Sequence, residues 1–206
     1  MKLHFVRSEL IKAIKTNQAA FGLNLDDSTI ERLADYYELV LEHNPLLHLV
    51  GPYSHSEFAI RHILESLTLL EHLPKRAKFA DIGAGAGLPS IPCLLARDDL
   101  RAVLIESKEK KTKFLDEAIV KLGLKSQAEI VNRQFEEADP AGCKFVTCRA
   151  LDKFTDRLPR LLKWSNKRTK LFFGGVNLRN ALQKYGLNFD ENLMPMSEQR
   201  YLFVVN

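Results

Sequence analysis

No stretch of this sequence approaches the roughly 18 consecutive apolar residues that a membrane-spanning helix needs. Its opening run, Met1-Lys2-Leu3-His4-Phe5-Val6-Arg7, lacks the apolar stretch and small-residue cleavage site of a secretory leader. The expectation is a cytoplasmic protein without a membrane partner. Cysteine is scarce: Cys93, Cys143 and Cys148 form an odd set without paired spacing, which argues against a disulfide framework and a zinc knuckle and leaves no metal site to expect. Internal repeats, low-complexity tracts and long linkers are also missing. With 206 residues, 46% of them hydrophobic, the chain can bury one good core and a small appendage, but not two full enzyme domains.

Charge is modest overall, at a formal +4, but the basic residues cluster. One group is Lys75, Arg76 and Lys78. A second is Lys108, Lys110, Lys111 and Lys113, and a third runs through Arg157, Arg160, Lys163, Lys167, Arg168 and Lys170. Such clusters either form a footprint for an anionic partner or are ordinary solvated helix faces, so charge alone supports nucleic acid only weakly.

Hydrophobic periodicity divides the chain near residue 74. Before it, Phe5, Leu10, Ile11, Ile14 and Ala19 repeat at helical spacing up to Gly22. Ile30, Leu33, Ala34, Tyr37, Val40 and Leu41 do so between the Asp26-Asp27-Ser28 capping cluster and Asn44-Pro45, and a third helix is predicted from about Ser54 to His72. After it, short apolar runs alternate with helical patterns. Phe79–Ile82, Ala102–Ile105, Glu129–Val131 and Phe145–Cys148 read as buried strands, separated by helices near 88–97, 108–122 and 152–164. Leu171–Phe173 and Tyr201–Val205 extend the sheet, and 186–196 is left between strand and loop. This alternation predicts an α/β fold, a mostly parallel sheet with helices on both faces. A helical segment, 1–74, packs on a core of 75–206.

The residues richest in chemical information are Asp81-Ile82-Gly83-Ala84-Gly85-Ala86-Gly87-Leu88-Pro89, where a strand gives way to a helix. Gly83, Gly85 and Gly87 allow a tight turn and close approach of main chain to a ligand, and the following helix start is expected to offer free amides. A dinucleotide fingerprint requires its third glycine one position later, where Leu88 stands. A P-loop requires a lysine, and none occurs between 79 and 107. Asp81 would repel a pyrophosphate but suits the cationic amino-acid end of S-adenosylmethionine. Glu106, closing the next strand, is an acid at a helix start when read alone, and beside the glycine turn a ligand for the ribose hydroxyls. Gln134 and Phe135 either edge an adenine or begin a helix with a core Phe.

Three segments in order carry a resemblance: Arg61-His62-Ile63-Leu64-Glu65-Ser66-Leu67, then the glycine turn extended through Leu88-Pro89-Ser90-Ile91-Pro92, then Cys148-Arg149-Ala150-Leu151. From about residue 30 onward the chain resembles the glucose-inhibited division protein B family of 16S ribosomal RNA 7-methylguanosine methyltransferases. The resemblance implies a Rossmann-like, S-adenosylmethionine-dependent methyltransferase fold and a 16S rRNA or small-subunit substrate; separately, a monomer is expected. It also implies that Gly83 and Leu88 contact the cofactor, that Glu106 lies near its ribose and that Gln134 and Phe135 edge its adenine. Arg149 would sit where cofactor meets substrate, flanked by Arg61 and His62. Without the resemblance, His62 reads as a helix-surface or core histidine and Arg61 as a solvated charge. The chain departs from the family pattern at His48, Val50, Ser90, Cys148 and Phe173, where Asn, Thr, Gly, Ser and Lys are usual.

The expected chemistry asks little of side chains. Ring nitrogen 7 of guanine carries an available lone pair, so methyl transfer to it requires no general base, only alignment of nitrogen, carbon and sulfur. The Asp/Asn-Pro-Pro-Tyr/Phe motif of amine methylation is missing after the fourth strand, where Thr147-Cys148-Arg149-Ala150 stands. Cys148 reads as a small strand-end residue rather than a nucleophile. Two readings stay open beside the rRNA enzyme: a methyltransferase acting on a small molecule or protein, and a weakened homologue that binds cofactor or RNA.

Overall fold

The computed structural model describes residues 2–139, 142–149 and 153–206. Seven strands, β1 (Lys78–Ile82), β2 (Arg101–Ile105), β3 (Ala128–Val131), β4 (Phe145–Arg149), β5 (Thr169–Gly174), β6 (Phe189–Leu193) and β7 (Tyr201–Val205), form one sheet in the order β3-β2-β1-β4-β5-β7-β6. The first five are mutually parallel, and β7 runs antiparallel to both of its neighbours. The chain moves outward from β1 to β3, then returns to lay β4 against the other side of β1. That reversal opens a crevice beyond the carboxyl ends of β1 and β4, the usual place for a ligand in an open α/β sheet.

Side chains of the central strands alternate between two cores, as the two-residue period of a strand requires. Phe79, Leu104, Leu171 and Phe173 face one cluster. Ala80, Ile82, Val103, Ile105, Val146 and Phe172 face the other, with Leu158 and Leu161 of α7 (Phe154–Trp164) and Leu178 and Leu182 of α8 (Val176–Lys184). On the first face, α5 (Ser90–Ala96) and α6 (Glu109–Lys121) are joined by the N-terminal helices α1 (Lys2–Asn17) and α2 (Asp27–Leu47). Leu10, Ile14, Ile30, Leu33, Tyr36 and Tyr37 share one core with the sheet. Tyr36 is fully buried, and its hydroxyl donates to the Ala86 carbonyl at 2.8 Å. An N-terminal helix thereby grips the glycine turn directly.

The elements differ from the sequence reading at four places. Pro45 lies inside α2, which continues to Leu47 and ends on His48 in the left-handed region. Because Pro45 sits in the last turn, its missing N–H removes a single bond near the end, and the Asn44 side chain accepts from Val50 N at 2.9 Å just beyond. The helix expected over 54–72 opens on a Ser54/Glu57 capping box as α3 (His55–Phe58). It widens to a π-helical turn (Ala59–Leu64), returns as α4 (Glu65–Leu67), and tightens to a 3₁₀ turn (Thr68–His72). The ambiguous stretch contains β6, and α8 was not foreseen, its buried stripe being only Leu178 and Leu182. Ala150 and Leu151 lie outside the described residues.

Gly87 tests how tightly this frame is packed. It has φ of +87°, and a Cβ there would lie 2.4 Å from Ile91 Cδ1. Gly87→Ala is expected to cost about 2–4 kcal/mol, combining a left-handed non-glycine residue with overpacking, measured as a lowered urea midpoint against wild type.

Candidate active site

The turn after β1 is held from inside. Gly83 N and Ala84 N both donate to the Ile105 carbonyl, at 2.8 and 3.2 Å, and Gly85 N donates to Glu106 Oε2 at 3.0 Å. The turn's own amides are thus committed to β2, because the sharp turn folds them back onto the neighbouring strand; at the start of the following helix, where free amides are expected, Ile91 N donates to the Gly87 carbonyl at 2.7 Å. What the turn offers outward is its lack of side chains. Gly85 has φ of +53°, and a Cβ there would project to 3.8 Å from Lys111 Nζ and 4.0 Å from Glu106 Oε2.

Two carboxylates border the turn. Glu106, at the end of β2, is 6% exposed. Its second oxygen accepts from Lys108 N at 2.8 Å, so both oxygens already hold main-chain donors. Asp81 is fully buried on β1. Its Oδ2 accepts from Ser90 Oγ at 2.6 Å, and its Oδ1 has no partner. Burial pushes the Asp81 carboxyl up to about 7, against the pull of the Ser90 hydrogen bonds.

A cavity of about 220 Å³ opens over the turn, lined by Gly83 to Ala86 and Leu88 on one side, by Leu49, Val50, Gly51, Tyr53 and His62 on the other, and by Lys111 and Arg149. The π-helical turn brings His62 to this wall. The His62 ring stands edge-on to Tyr53, with centroids 4.5 Å apart, and against Phe58 at 4.9 Å. Neither ring nitrogen of His62 has a partner. Burial, reinforced by Arg149, Arg61 and Arg200, lowers its pKa to about 3, so His62 is an uncharged imidazole at neutral pH.

Arg149 ends β4 with its guanidinium already engaged. It donates to Glu65 Oε2 at 3.1 Å, to the Arg61 carbonyl and to Ser66 Oγ at 3.5 Å, and lies 5.2 Å from the centre of the Phe173 ring. Burial pushes its pKa down while Glu65 draws it back up. Glu65, with a side chain 2% exposed, also accepts from Arg200 Nε at 2.7 Å. Arg61 therefore meets Arg149 through its main chain, while its guanidinium sits 5.9 Å from the Tyr53 ring centre.

On the other side of Gly83 lies a cleft of only about 20 Å³, bordered by Ile82, Ile105, Ser107, Arg133, Gln134, Phe135 and Arg157. Arg157 lies 4.8 Å from the Phe135 ring centre and donates to Gln134 Oε1 at 3.0 Å and to Glu136. Phe135 is itself buried on the core side. The structure thus brings Gly83, Gly85, Leu88, His62 and Arg149 to one cavity and Gln134 and Phe135 to the second. Asp81 and Glu106 stand beneath the turn, and Gly87 packs on Ile91 inside it.

Sequence reading missed Tyr53, Glu65, Lys111, Arg157 and Arg200 as parts of this region. Glu65 stood within a quoted motif and Lys111 within a basic run, so each carried a signal, whereas nothing near Arg200 marked it. Topology also sorts the basic clusters. Lys108, Lys110, Lys111, Arg133, Lys153 and Arg157 follow the carboxyl ends of strands, and of these Lys111, Arg133 and Arg157 line the two cavities. Lys75, Arg76, Lys167 and Arg168 precede strands and fall on the opposite edge.

Among the described residues, no helix is long and apolar enough to cross a membrane. Nor does any group of three or more His, Cys, Asp and Glu there sit where it could hold a metal ion.

The family model described as rRNA small subunit methyltransferase G matches residues 29–183. A protein of that name from Pelotomaculum thermopropionicum is 35% identical over 152 residues, covering 70% of this chain and 63% of the relative. One from Neisseria meningitidis serogroup C is 31% identical, covering 69% of each. The chain therefore spans slightly less than two thirds of the first relative's length. Among solved structures, TrmK from M. capricolum, in complex with S-adenosyl-homocysteine, superposes with a TM-score of 0.54 at 16% identity, over 69% of this chain and 67% of that one. That likeness is one of fold.

Two outcomes follow from the buried charges. Glu65→Ala leaves Arg149 without its carboxylate and is expected to cost about 3–5 kcal/mol, read by chemical denaturation. Asp81, with a folded pKa of about 7 against about 4 in an unfolded chain, keeps its proton longer when folded. Its contribution is therefore fully present below pH 4 and is lost as pH rises to about 7. Asp81→Asn is expected to gain stability relative to wild type between pH 4.5 and pH 8, and a constant difference in urea midpoints would remove the assigned titration.

Proposed function

The chain belongs to the rRNA small subunit methyltransferase G family, and from that we infer that it is an S-adenosylmethionine-dependent methyltransferase acting on ring nitrogen 7 of a guanine in 16S rRNA. In this reading it works on the small ribosomal subunit, as a monomer in the cytoplasm. The observation that carries the cofactor assignment is the glycine turn between Asp81 and Glu106. Its outward face is bare at Gly85, where a side chain would fill the space before Lys111 and Glu106, and Asp81 Oδ1 beneath it lacks a partner. These residues fit a nucleoside with a charged amino-acid tail and do not fit a pyrophosphate, which two carboxylates would repel.

S-adenosylmethionine supplies, when bound, an electrophilic methyl carbon on a sulfonium. The chain's own residues position and enclose. Gly83 and Gly85 permit close approach of the main chain, and Leu88 closes the side of the cavity. Glu106 has one oxygen on Gly85 N and one on Lys108 N, and the lone pairs that remain on each serve ribose hydroxyls. Gln134 and Phe135 edge the adenine once Arg157 moves aside. Arg149, fixed by Glu65 and the Arg61 carbonyl, marks the border between cofactor and base.

His62 supports the choice of a ring nitrogen as acceptor. An imidazole with a pKa of about 3 is a poor proton acceptor at neutral pH, whereas nitrogen 7 of guanine has no proton to lose. The uncharged ring has one N–H to donate and one nitrogen to accept, both covered by protein and without a partner. Cys148 is fully buried within β4 and faces the second core cluster, which disfavours a cysteine nucleophile attacking a pyrimidine carbon.

Labelled methyl transfer to small subunits and to naked 16S RNA, followed by mass mapping of the modified nucleotide, tests the activity. Transfer to a guanine with a positively charged product base is the expected outcome, and transfer to an exocyclic amine would overturn the acceptor. Arg149→Ala is expected to lower transfer at least about 100-fold, in the range of lost transition-state contacts, and unchanged turnover would remove its role.

A further inference from the structure

The cleft over the glycine turn has carboxylates beneath it and few uncommitted cations. Arg149 is held by Glu65 and by the Arg61 carbonyl. Lys113, two residues beyond Lys111, is paired with Glu109 at 2.8 Å. Lys111, in the first turn of α6, lines the cavity with the glycine turn, half-buried, and among the described residues no carboxylate lies within ion-pairing distance of its ammonium. Its Nζ is 3.8 Å from the point where a Cβ on Gly85 would stand, on the side of the turn that faces the cavity.

We propose that Lys111 is the anchor for the carboxylate of the cofactor's amino-acid tail. The inference rests on the methyltransferase reading above and adds a residue to it. The tail carries one cationic amine and one anionic carboxylate. Asp81, whose Oδ1 has no partner, serves the amine, and an anion placed beside Asp81 and Glu106 requires a positive neighbour to offset them. Lys111 is the cation lining this cavity whose donors are not already spent on a carboxylate. In a partly desolvated cleft an ammonium–carboxylate hydrogen bond is stronger than one between neutral groups. Lysine suits the task because its flexible stem lets a compact charge follow the tail.

Calorimetry on the full chain separates the possibilities, using S-adenosylhomocysteine, which keeps the carboxylate, and 5′-methylthioadenosine, which lacks the whole amino-acid end. Lys111→Met, which keeps the stem and removes the charge, is expected to weaken S-adenosylhomocysteine about 10- to 100-fold. It should leave 5′-methylthioadenosine within about twofold, and Lys111→Arg should restore most of the loss. Equal weakening of both ligands, by either variant, would assign Lys111 to the frame of the cleft and overturn the proposal. Unchanged S-adenosylhomocysteine affinity with a raised KM for RNA would overturn it in favour of a phosphate contact. If wild-type protein bound neither nucleoside, the methyltransferase reading itself would fail, an outcome distinct from any defect confined to the Lys111 variants.

Discussion

The buried carboxylate of Glu65 is the constraint on which the candidate site depends. It receives Arg149 from the end of β4 and Arg200 from the segment before β7, while its own backbone belongs to the helical stretch after the π-helical turn. Three remote parts of the chain meet at one group whose side chain is 2% exposed. A buried ion pair of this kind adds little net stability compared with an apolar replacement, yet removing one partner is costly. Its use here is geometric, since it determines where the Arg149 guanidinium sits relative to the glycine turn.

A second constraint acts from the opposite side. Tyr36 reaches from α2 to the Ala86 carbonyl, and Glu106 holds Gly85 N from β2. The turn is therefore fastened both to the helical segment and to the sheet. Its pre-formed shape reduces the ordering that a ligand must impose, which is the general benefit of preorganisation in binding. The same enclosure keeps water from Asp81 and His62, and their displaced pKa values, about 7 and about 3, share burial as their largest cause.

What the sequence disclosed was local. Phe79, Ala80 and Ile82, and Ala102 to Ile105, are apolar on both faces, so a parallel, doubly covered sheet could be read directly, and so could the glycine turn between them. Asp81, Glu106, His62 and Arg149 were legible because each sits at a strand end or inside a short recognisable string. Contacts that join residues far apart were not legible. The distance from Glu65 to Arg200 is 135 positions along the chain, and no spacing rule spans it. The commitment of the turn amides to Ile105 depends on strand pairing, which single residues do not announce. Pro45 looked like a helix end because proline usually breaks a helix, but its place in the last turn removes most of that cost. The π-helical turn leaves no pattern of its own in the apolar period, and it is the segment that brings His62 to the cavity.

The outer strand of the sheet has a bearing on behaviour at high concentration. β6 reads Phe189-Asp190-Glu191-Asn192-Leu193 and is exposed over all but its first residue, with Arg179 clasping Glu191 at 2.6 Å. A foreign strand seeking to lengthen the sheet there would have to lay its backbone beside adjacent acids and displace an arginine from one of them. Placing such a strand outermost guards against self-templating by charge, without the need for a covering helix.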